Sequence, residues 1–279
     1  MSVAAIRRYP VKSMLGEQLP SATITIRGIP GDRALALLDR DSGKIASAKH
    51  PRRWRQLLAC RARVVALDDD PMTIAITLPD GRTMLSIDPD VDAMLSELFG
   101  RTVSLASTPP EIAETERVYP DVEGLPVSGM FFSGQIGLGA PPGTFFDYAP
   151  IHLLTTATLA QLRTVAPSGD FDPRRFRPNL VIATPDASGF VENDWVGRTL
   201  LIGDEIRLRV TDPTPRCVIP TLPHGNLPRD LGILRTIATH NRPPIPTLGN
   251  VTWPSTGVYA TVEHGGVVRE GDAVRLVEE

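Results

Sequence analysis

Turn-forming residues interrupt this chain too often to leave room for long helices. The sequence contains 27 Pro and 23 Gly among 279 residues, and a proline inside a helix removes a backbone hydrogen bond and clashes with the preceding turn. Most apolar runs are short and flanked by turn residues, which is typical of strands. We expect strands at residues 4–9, 23–26, 34–39, 61–67, 73–78, 180–183, 205–210, 258–262 and 273–277.

Three segments carry the sequence features of helices. The first begins at Asp88-Pro89, because a capping residue followed by proline favours a helix N-terminus, and it ends at Gly100. The second covers residues 156–165 and the third residues 229–239, each with apolar residues on one face. A few helices among many short strands predict a β-rich α+β fold of barrel type.

The hydrophobic content and net charge of the chain argue against several classes of protein. The chain is 42% hydrophobic with a formal net charge of −3, which does not fit a general nucleic-acid binder. Its apolar runs are too short to span a bilayer, and the N-terminus lacks the apolar core of a signal peptide. We therefore expect a cytoplasmic protein that binds neither nucleic acid nor membrane. The stretch 107–125 is rich in Pro and Glu and is the best candidate linker, dividing the chain into domains at 1–108 and 126–279.

Cys217 is the residue best suited to carry chemistry. With 2 Cys in the chain, a disulfide-rich fold and a four-cysteine zinc or iron–sulfur site are excluded within one chain. Prolines flank Cys217, and Arg216 places a cation beside it. A neighbouring cation favours the thiolate, which is a nucleophile and a soft ligand for a redox-active metal. The alternative is a cysteine packed in a core strand, which fits Cys60 better.

Two basic segments are candidates for binding an anion. The mid-chain segment RRFRPN places Arg177 and Asn179 just before an apolar strand. Arginine forks match phosphate geometry, and an amide both donates and accepts hydrogen bonds. Near the N-terminus, Lys12 with Ser13, and Arg33 after a tight turn, offer further contacts. The alternatives are a solvated charged loop at mid-chain, and a strand end with a surface turn near the N-terminus.

Other sequence signals are weak. The glycine-rich dinucleotide fingerprint, the P-loop and the serine-hydrolase elbow are missing from the sequence. The 5 His show no paired metal-ligand spacing. Lysines occur only at Lys12, Lys44 and Lys49, and we interpret this scarcity as genomic base composition rather than function.

Taken together, the motifs resemble a known family. The chain carries, in order, YPVKS at 9–13, GDR at 31–33, RFRPNLVI at 175–182, PRCVIPT at 215–221 and GVYATVEHGGVVREGDAVRL at 257–276. This series is similar to the MOSC domain proteins with an N-terminal MOSC β-barrel, a family that includes the mitochondrial amidoxime-reducing component. The resemblance implies an N-terminal β-barrel-like domain followed by a MOSC β-barrel core with a few helices.

The resemblance also implies a cofactor and its binding residues. A molybdenum cofactor (molybdopterin) is expected between the N-terminal barrel and the MOSC core, with Cys217 as metal ligand and catalytic residue. The residues expected to bind the cofactor are Lys12, Ser13, Arg33, Arg177, Asn179 and Arg216.

The implied activity is that of a molybdenum-dependent oxidoreductase acting on a small molecule. It would reduce N-hydroxylated or N-oxide compounds, whose oxygen leaves as water after two electrons and two protons. Because the chain has no dinucleotide fingerprint and too few cysteines for a four-thiolate cluster, we expect electrons from a separate protein of ferredoxin, haem or flavin type.

The resemblance leaves other functions open. MOSC domains also form the last domain of cofactor sulfurases. The chain could therefore carry the molybdenum cofactor, or sulfur as a Cys217 persulfide, without turnover. Pyridoxal phosphate is not favoured, because no Schiff-base lysine in a large separate domain is evident. The chain departs from the reductases at Pro215, where they carry a small hydroxyl residue, and at Tyr148-Ala149, where they carry a hydroxyl-bearing pair. We also expect no fused ferredoxin-like domain of the kind found in some bacterial relatives.

Overall fold

The chain folds as a strand-rich α+β protein, as the sequence predicts. The computed structural model describes residues 1–119 and 130–277. Strands β1 to β19 are, in chain order, Ser2–Arg8, Glu17–Leu19, Ser21–Ile24, Ala36–Asp39, Arg61–Ala66, Thr73–Thr77, Thr83–Leu85, Val103–Ala106, Glu114–Val118, Phe131–Gln135, Ile151–Thr155, Leu180–Ala183, Thr199–Ile202, Ile206–Pro215, Pro244–Ile245, Val251–Thr252, Ser255–His264, Gly266–Arg269 and Val274–Leu276. Helices α1 to α4 are Pro51–Trp54, Val91–Phe99, Thr156–Val165 and Gly232–His240.

An eight-stranded sheet forms the centre of the molecule. Its strand order is β19-β13-β14-β17-β11-β12-β1-β2. Strands β11 and β12 run parallel and are joined through α3, whereas β1 pairs antiparallel with β12. The apolar side chains of these strands, among them Ile6, Leu153, Leu180 and Val258, pack into one buried cluster. The N-terminal strand is therefore built into the same sheet as the last third of the chain.

The N-terminal half adds smaller sheets and α2. Strands β5, β6 and β7 form one sheet, and β4 pairs with β8. Their buried residues form a second apolar cluster that includes Trp54, Leu57, Ile76 and Leu95. The loop after β1 contributes Met14 to this cluster. That loop therefore lies between the two cores, and it carries Lys12 and Ser13.

The nine predicted strands are confirmed, although their limits shift by a few residues. The largest difference is β14, which was expected to end at residue 210 and continues to Pro215. Proline has no N–H to donate to a ladder and is tolerated in strands at irregularities. Here the pairing of β14 with β17 shifts register between Val210 and Asp212 and again between Pro213 and Pro215. These irregularities let the strand run as far as the residue before Arg216.

The three predicted helices are also found, and two of them begin later than expected. Helix α2 starts at Val91 instead of Asp88, because the Asp88 carboxylate accepts from the Leu85 backbone N–H at 2.7 Å and holds a turn. Helix α4 starts at Gly232 instead of residue 229. The Asp230 carboxylate there accepts from the Gly232 N–H at 2.8 Å, before the helix begins.

Part of the candidate linker 107–125 forms a strand. Glu114–Val118 forms strand β9, which pairs antiparallel with β10. Of this strand only Thr115 is buried, so its sequence lacks the apolar alternation by which strands are recognised. Residues 120–125 of the stretch lie outside the described residues. Within the described ranges, no helix is long and apolar enough to cross a membrane.

Candidate functional site

A single cavity brings together every residue predicted for the site. Its volume is about 260 Å³. The predicted residues that line it are Lys12, Ser13, Arg33, Arg177, Asn179, Arg216 and Cys217. They come from the loop after β1, the turn before β4, the turn before β12 and the segment after β14. Four separate stretches of the family-like sequence pattern therefore line one space, and the roles of the residues remain predictions.

Strained backbone is concentrated around this cavity. Ser13, Arg33 and Arg177 have φ values of 65°, 48° and 56°, in the left-handed region that side chains with a Cβ rarely adopt. Asn250 is the other non-glycine residue with positive φ in the described part of the chain. Such strain costs about 1–3 kcal/mol per residue and is commonly found where side chains must be aimed at a ligand. The three backbones thus support a binding role for this cavity.

Two buried lysines share one carboxylate in the cavity wall. The Nζ atoms of Lys12 and Lys49 each lie 2.8 Å from Oδ1 of Asp147. Lys12 also donates to the Phe145 carbonyl at 2.8 Å. Burial lowers the pKa of Lys12 to about 8, although Asp147 opposes the shift. Burial acts to raise the pKa of Asp147, but the two lysines hold it well below its usual value.

No sequence motif indicated Lys49 or Asp147 as a residue of the site. Two of the three lysines of the chain meet in this cavity, while Lys44 lies 3.6 Å from Glu116. The scarcity of lysine, interpreted above as base composition, was the available signal. When arginine is the usual basic residue of a chain, a position that carries lysine instead is a candidate site for binding through a compact ammonium charge.

Arg33 and Arg177 both lie against the ring of Tyr9. Their guanidinium carbons are 4.5 Å and 4.3 Å from the ring centroid, within the range of cation–π attraction. Arg177 donates to the Met14 carbonyl at 2.6 Å, and Arg33 pairs with Asp32. Burial, and then the charge of Arg33, lower the pKa of Arg177 to about 10. The pair forms the second cationic part of the cavity.

Asn179 is held by the protein through both ends of its amide. Its Oδ1 accepts from the His152 N–H at 3.1 Å, and its Nδ2 donates to Oδ2 of Asp32 at 2.8 Å. Asp32 also accepts from the Tyr9 N–H at 2.7 Å and pairs with Arg33. Asn179 therefore orients the turn that carries Arg33.

Arg216 is likewise engaged by the protein. It donates from Nε to the Thr256 carbonyl at 3.0 Å and from Nη1 to the Phe176 carbonyl at 3.1 Å. Its Nη2 contacts the Thr256 carbonyl and lies 2.6 Å from Nε2 of His152. Burial lowers the pKa of Arg216 to about 10. These contacts fix the backbone immediately before Cys217.

The two cysteines lie in different environments, as expected. Cys217 is partly exposed and lines the cavity. Cys60 is fully buried in the N-terminal core, where burial raises the pKa of its thiol to about 12. Across residues 1–119 and 130–277, no group of three or more His, Cys, Asp and Glu is arranged to hold a metal ion.

The three arginines of the mid-chain segment have three different positions. Arg174 pairs with Asp172 at 2.7 Å, and its side chain is 41% exposed. Arg175 is fully buried and pairs with Asp170 at 2.8 Å. Only Arg177 combines the strained backbone with a position against Tyr9.

Aromatic residues form the remaining wall. Tyr119 contacts Trp253 edge to face at 5.2 Å between ring centroids, and Tyr148 lies 5.4 Å from Tyr259. The indole N–H of Trp253 donates to the Arg216 carbonyl at 3.1 Å. Thr214 also lines the cavity, and its buried Oγ1 has no hydrogen-bond partner.

Comparison with known families agrees with this arrangement. The MOSC domain profile matches residues 141–275, and the MOSC N-terminal beta barrel domain profile matches residues 1–111. The chain belongs to the MOSC domain family. MOSC domains are associated with molybdenum cofactor binding in general.

Two solved structures are similar to the chain at low sequence identity. The YUAD protein from Bacillus subtilis is 12% identical, with a TM-score of 0.46, over 99% of this chain and 94% of that one. YiiM from Geobacillus stearothermophilus is 17% identical, with a TM-score of 0.33, over 47% of this chain and 55% of its own. No curated protein matches the chain.

Both positions that depart from the MOSC reductases lie in the cavity wall. Pro215 is the last residue of β14, directly before the Arg216–Cys217 pair. Tyr148 and Ala149 follow Asp147 and precede β11. The departures therefore alter the cavity surface beside the cysteine and beside the lysine pair.

Proposed function

We propose that this protein binds a molybdenum cofactor in the cavity and reduces N-hydroxylated or N-oxide compounds with electrons from a separate protein. One observation carries the proposal. A partly exposed thiol, Cys217, lines the same cavity as seven cationic side chains. Four of them, Lys12, Lys49, Arg33 and Arg177, are the ones we assign to the cofactor phosphate; the others are Arg117, Arg175 and Arg216.

The residues present fit a cofactor that has both a phosphate and a soft metal. Lysine and arginine nitrogens form charge-assisted hydrogen bonds with phosphate oxygens. A thiolate is a suitable ligand for a redox-active transition metal. The unpartnered Oγ1 of Thr214 gives the same wall a free polar atom, and buried polar atoms normally have a partner. The donor set, the thiol and this unpartnered hydroxyl all favour a polar, anionic occupant.

Some residues of the chain would bind the cofactor, and others would position the residues that bind it. Lys12, Lys49, Arg33 and Arg177 would neutralise the phosphate, and Cys217 would hold the metal. Most donors of Arg216 and both amide N–H donors of Asn179 already bind protein groups, so we propose that these two residues position their neighbours. The bound molybdenum supplies the two-electron chemistry that no side chain here can supply.

The proposed reaction has a simple balance. The N–O bond of the substrate breaks, two electrons and two protons are consumed, and the oxygen leaves as water. The protein supplies no electron carrier of its own by any recognised sequence motif, so a one-electron donor protein of ferredoxin, haem or flavin type would deliver the electrons. Tyr148, Trp253 and Tyr259 would limit the access of bulk water to the reacting atoms, because their rings belong to the apolar part of the wall.

The test is the metal and pterin content of the protein after expression in a host that makes the cofactor. We expect near-stoichiometric molybdenum and pterin in the natural sequence and loss of the metal in Cys217→Ala. Cys60→Ala is the matched control, because it removes the other thiol from a site remote from the cavity. Full metal content in Cys217→Ala would overturn the proposal. A metal-loaded protein without turnover would instead favour the carrier function.

A further inference from the structure

We propose that Asp147 is an internal counter-anion that an incoming phosphate monoester must displace from Lys12 and Lys49. Asp147 would thereby set the affinity of the cavity for anionic ligands. The proposal deepens the function proposed above, because it concerns the site at which the cofactor phosphate would bind.

The geometry of the ion pairs is the first observation. Both lysines approach the same oxygen, Oδ1 of Asp147, at 2.8 Å. A phosphate oxygen accepts charge-assisted hydrogen bonds from two ammonium groups in the same way. The carboxylate and a phosphate would therefore compete for the same two donors.

Burial gives the direction of exchange. The side chains of Lys12 and Lys49 are 5% and 10% exposed, whereas that of Asp147 is 37% exposed. The carboxylate is thus the most accessible of the three charged groups, while the two cations are nearly enclosed by protein. A phosphate that takes its place keeps the cations compensated, whereas loss of the carboxylate without a replacement anion would leave two unpaired buried charges.

The lysines have supports that do not depend on Asp147. Lys12 donates to the Phe145 carbonyl at 2.8 Å. The backbone carbonyl of Lys49 accepts from the Val118 N–H at 2.9 Å. The ammonium of Lys12 therefore keeps a protein acceptor when the carboxylate moves, and the backbone that carries Lys49 stays fixed.

Asp32, near the same cavity, differs from Asp147 because several protein donors hold its carboxylate in place. Its side chain is fully buried, and its oxygens accept from the Tyr9 N–H and the Asn179 amide and pair with Arg33. Asp147 has no comparable set of backbone and amide donors among the contacts of the described residues, and it depends on the two lysines. Asp32 is thus a structural counterion, and Asp147 is the displaceable one.

The experiment measures binding of inorganic phosphate to the cofactor-free full chain by isothermal titration calorimetry at pH 7. We expect Asp147→Asn to bind phosphate at least about tenfold more tightly than the natural sequence, because one competing negative charge is removed from two donors. Asp80→Asn is the matched control. It removes the same charge from an exposed pair with Arg82 outside the cavity, and it should leave the affinity unchanged.

A second substitution localises the effect. Adding Lys49→Ala to Asp147→Asn should abolish the gain in phosphate affinity, because one of the two donors is lost. An unchanged or weaker affinity in folded Asp147→Asn would overturn the proposal, as would a gain that survives Lys49→Ala. Circular dichroism and thermal unfolding establish that each variant is folded.

If Asp147→Asn does not fold, the natural sequence decides the question. A crystal structure obtained at high phosphate should show phosphate on both lysines with the Asp147 carboxylate moved away. A carboxylate still bound to both lysines under these conditions would overturn the proposal. Since none of these measurements requires molybdenum, a protein that shows the phosphate effect but never retains the metal would refute the proposed function alone.

Discussion

Arg216 donates a hydrogen bond from Nη2 to Nε2 of His152 across 2.6 Å. Because arginine has no acceptor, this contact requires an unprotonated Nε2. Burial and the charge of Arg216 accordingly hold the pKa of His152 well below its ordinary value. The neutral imidazole is thus one of the supports of the residue that precedes Cys217.

This contact makes the stability of the protein dependent on pH. The unfolded chain binds a proton at His152 near pH 6.5, and the folded chain does so only at much lower pH. Stability from this residue is therefore present above about pH 6.5 and falls on acidification, by at most about 1.4 kcal/mol per pH unit. We expect a smaller loss in His152→Gln, whose amide oxygen can accept from Arg216 but does not titrate.

Urea unfolding at pH 7 and pH 5.5 measures this difference. His240→Gln, at an exposed histidine, is the control and should keep the full pH dependence. His224, whose pKa burial lowers to about 4, contributes equally to all three proteins. Identical slopes for His152→Gln and the natural sequence would contradict the assignment.

Arg177→Ala should weaken retention of the cofactor more than Arg174→Ala. Arg177 lies buried in the cavity against Tyr9, whereas Arg174 is half exposed and pairs with Asp172. Losing one charge-assisted contact to phosphate should cost about 1.5–3 kcal/mol, which is roughly ten- to a hundredfold in affinity. Pterin retained after dialysis is the measurement, and equal retention by the two variants would argue against a phosphate contact at Arg177.

The thiol of Cys217 should react with a polar disulfide reagent in the folded protein, whereas that of Cys60 should not. Cys217 is partly exposed, and Cys60 is fully buried with its pKa raised to about 12. Thiolate fraction and access both set the rate. The absorbance of the released thiol should show the fast phase disappear in Cys217→Ala and remain in Cys60→Ala. A fast phase that survives Cys217→Ala would show that the assignment of the accessible thiol is wrong.

Cofactor-loaded protein should reduce benzamidoxime with a reduced viologen dye but not with NADH or NADPH. A nicotinamide donates a hydride, and the chain carries no dinucleotide fingerprint and too few cysteines for a four-thiolate relay. The assay compares both electron donors with the same protein. Turnover with NADH alone would refute the need for a partner protein. Absence of turnover with either donor, with metal and pterin verified, would favour the carrier function.

Local sequence patterns predicted nine of the nineteen strands of the described residues and the three longer helices, and they separated the environments of the two cysteines. Apolar residues recur every two residues in a half-buried strand and every 3.6 residues in an amphipathic helix. These spacings are properties of short segments, so they can be recognised without knowledge of the fold. The prolines and the arginine beside Cys217 likewise distinguished it from Cys60. In the structure, Cys217 lines the cavity and Cys60 lies in the N-terminal core.

Only the tertiary structure decided what the site residues touch. Lys12 meets Asp147 across 135 positions of sequence, and Arg177 meets Met14 across 163. No spacing rule covers such distances, because the pairing of β1 with β12 brings these segments together. Arg216 and Asn179 are buried, and their side chains donate to protein groups, because a buried donor or acceptor must find a partner in the protein. Sequence thus named seven residues of the cavity but neither Lys49 nor Asp147, while packing assigned the hydrogen bonds of all of them.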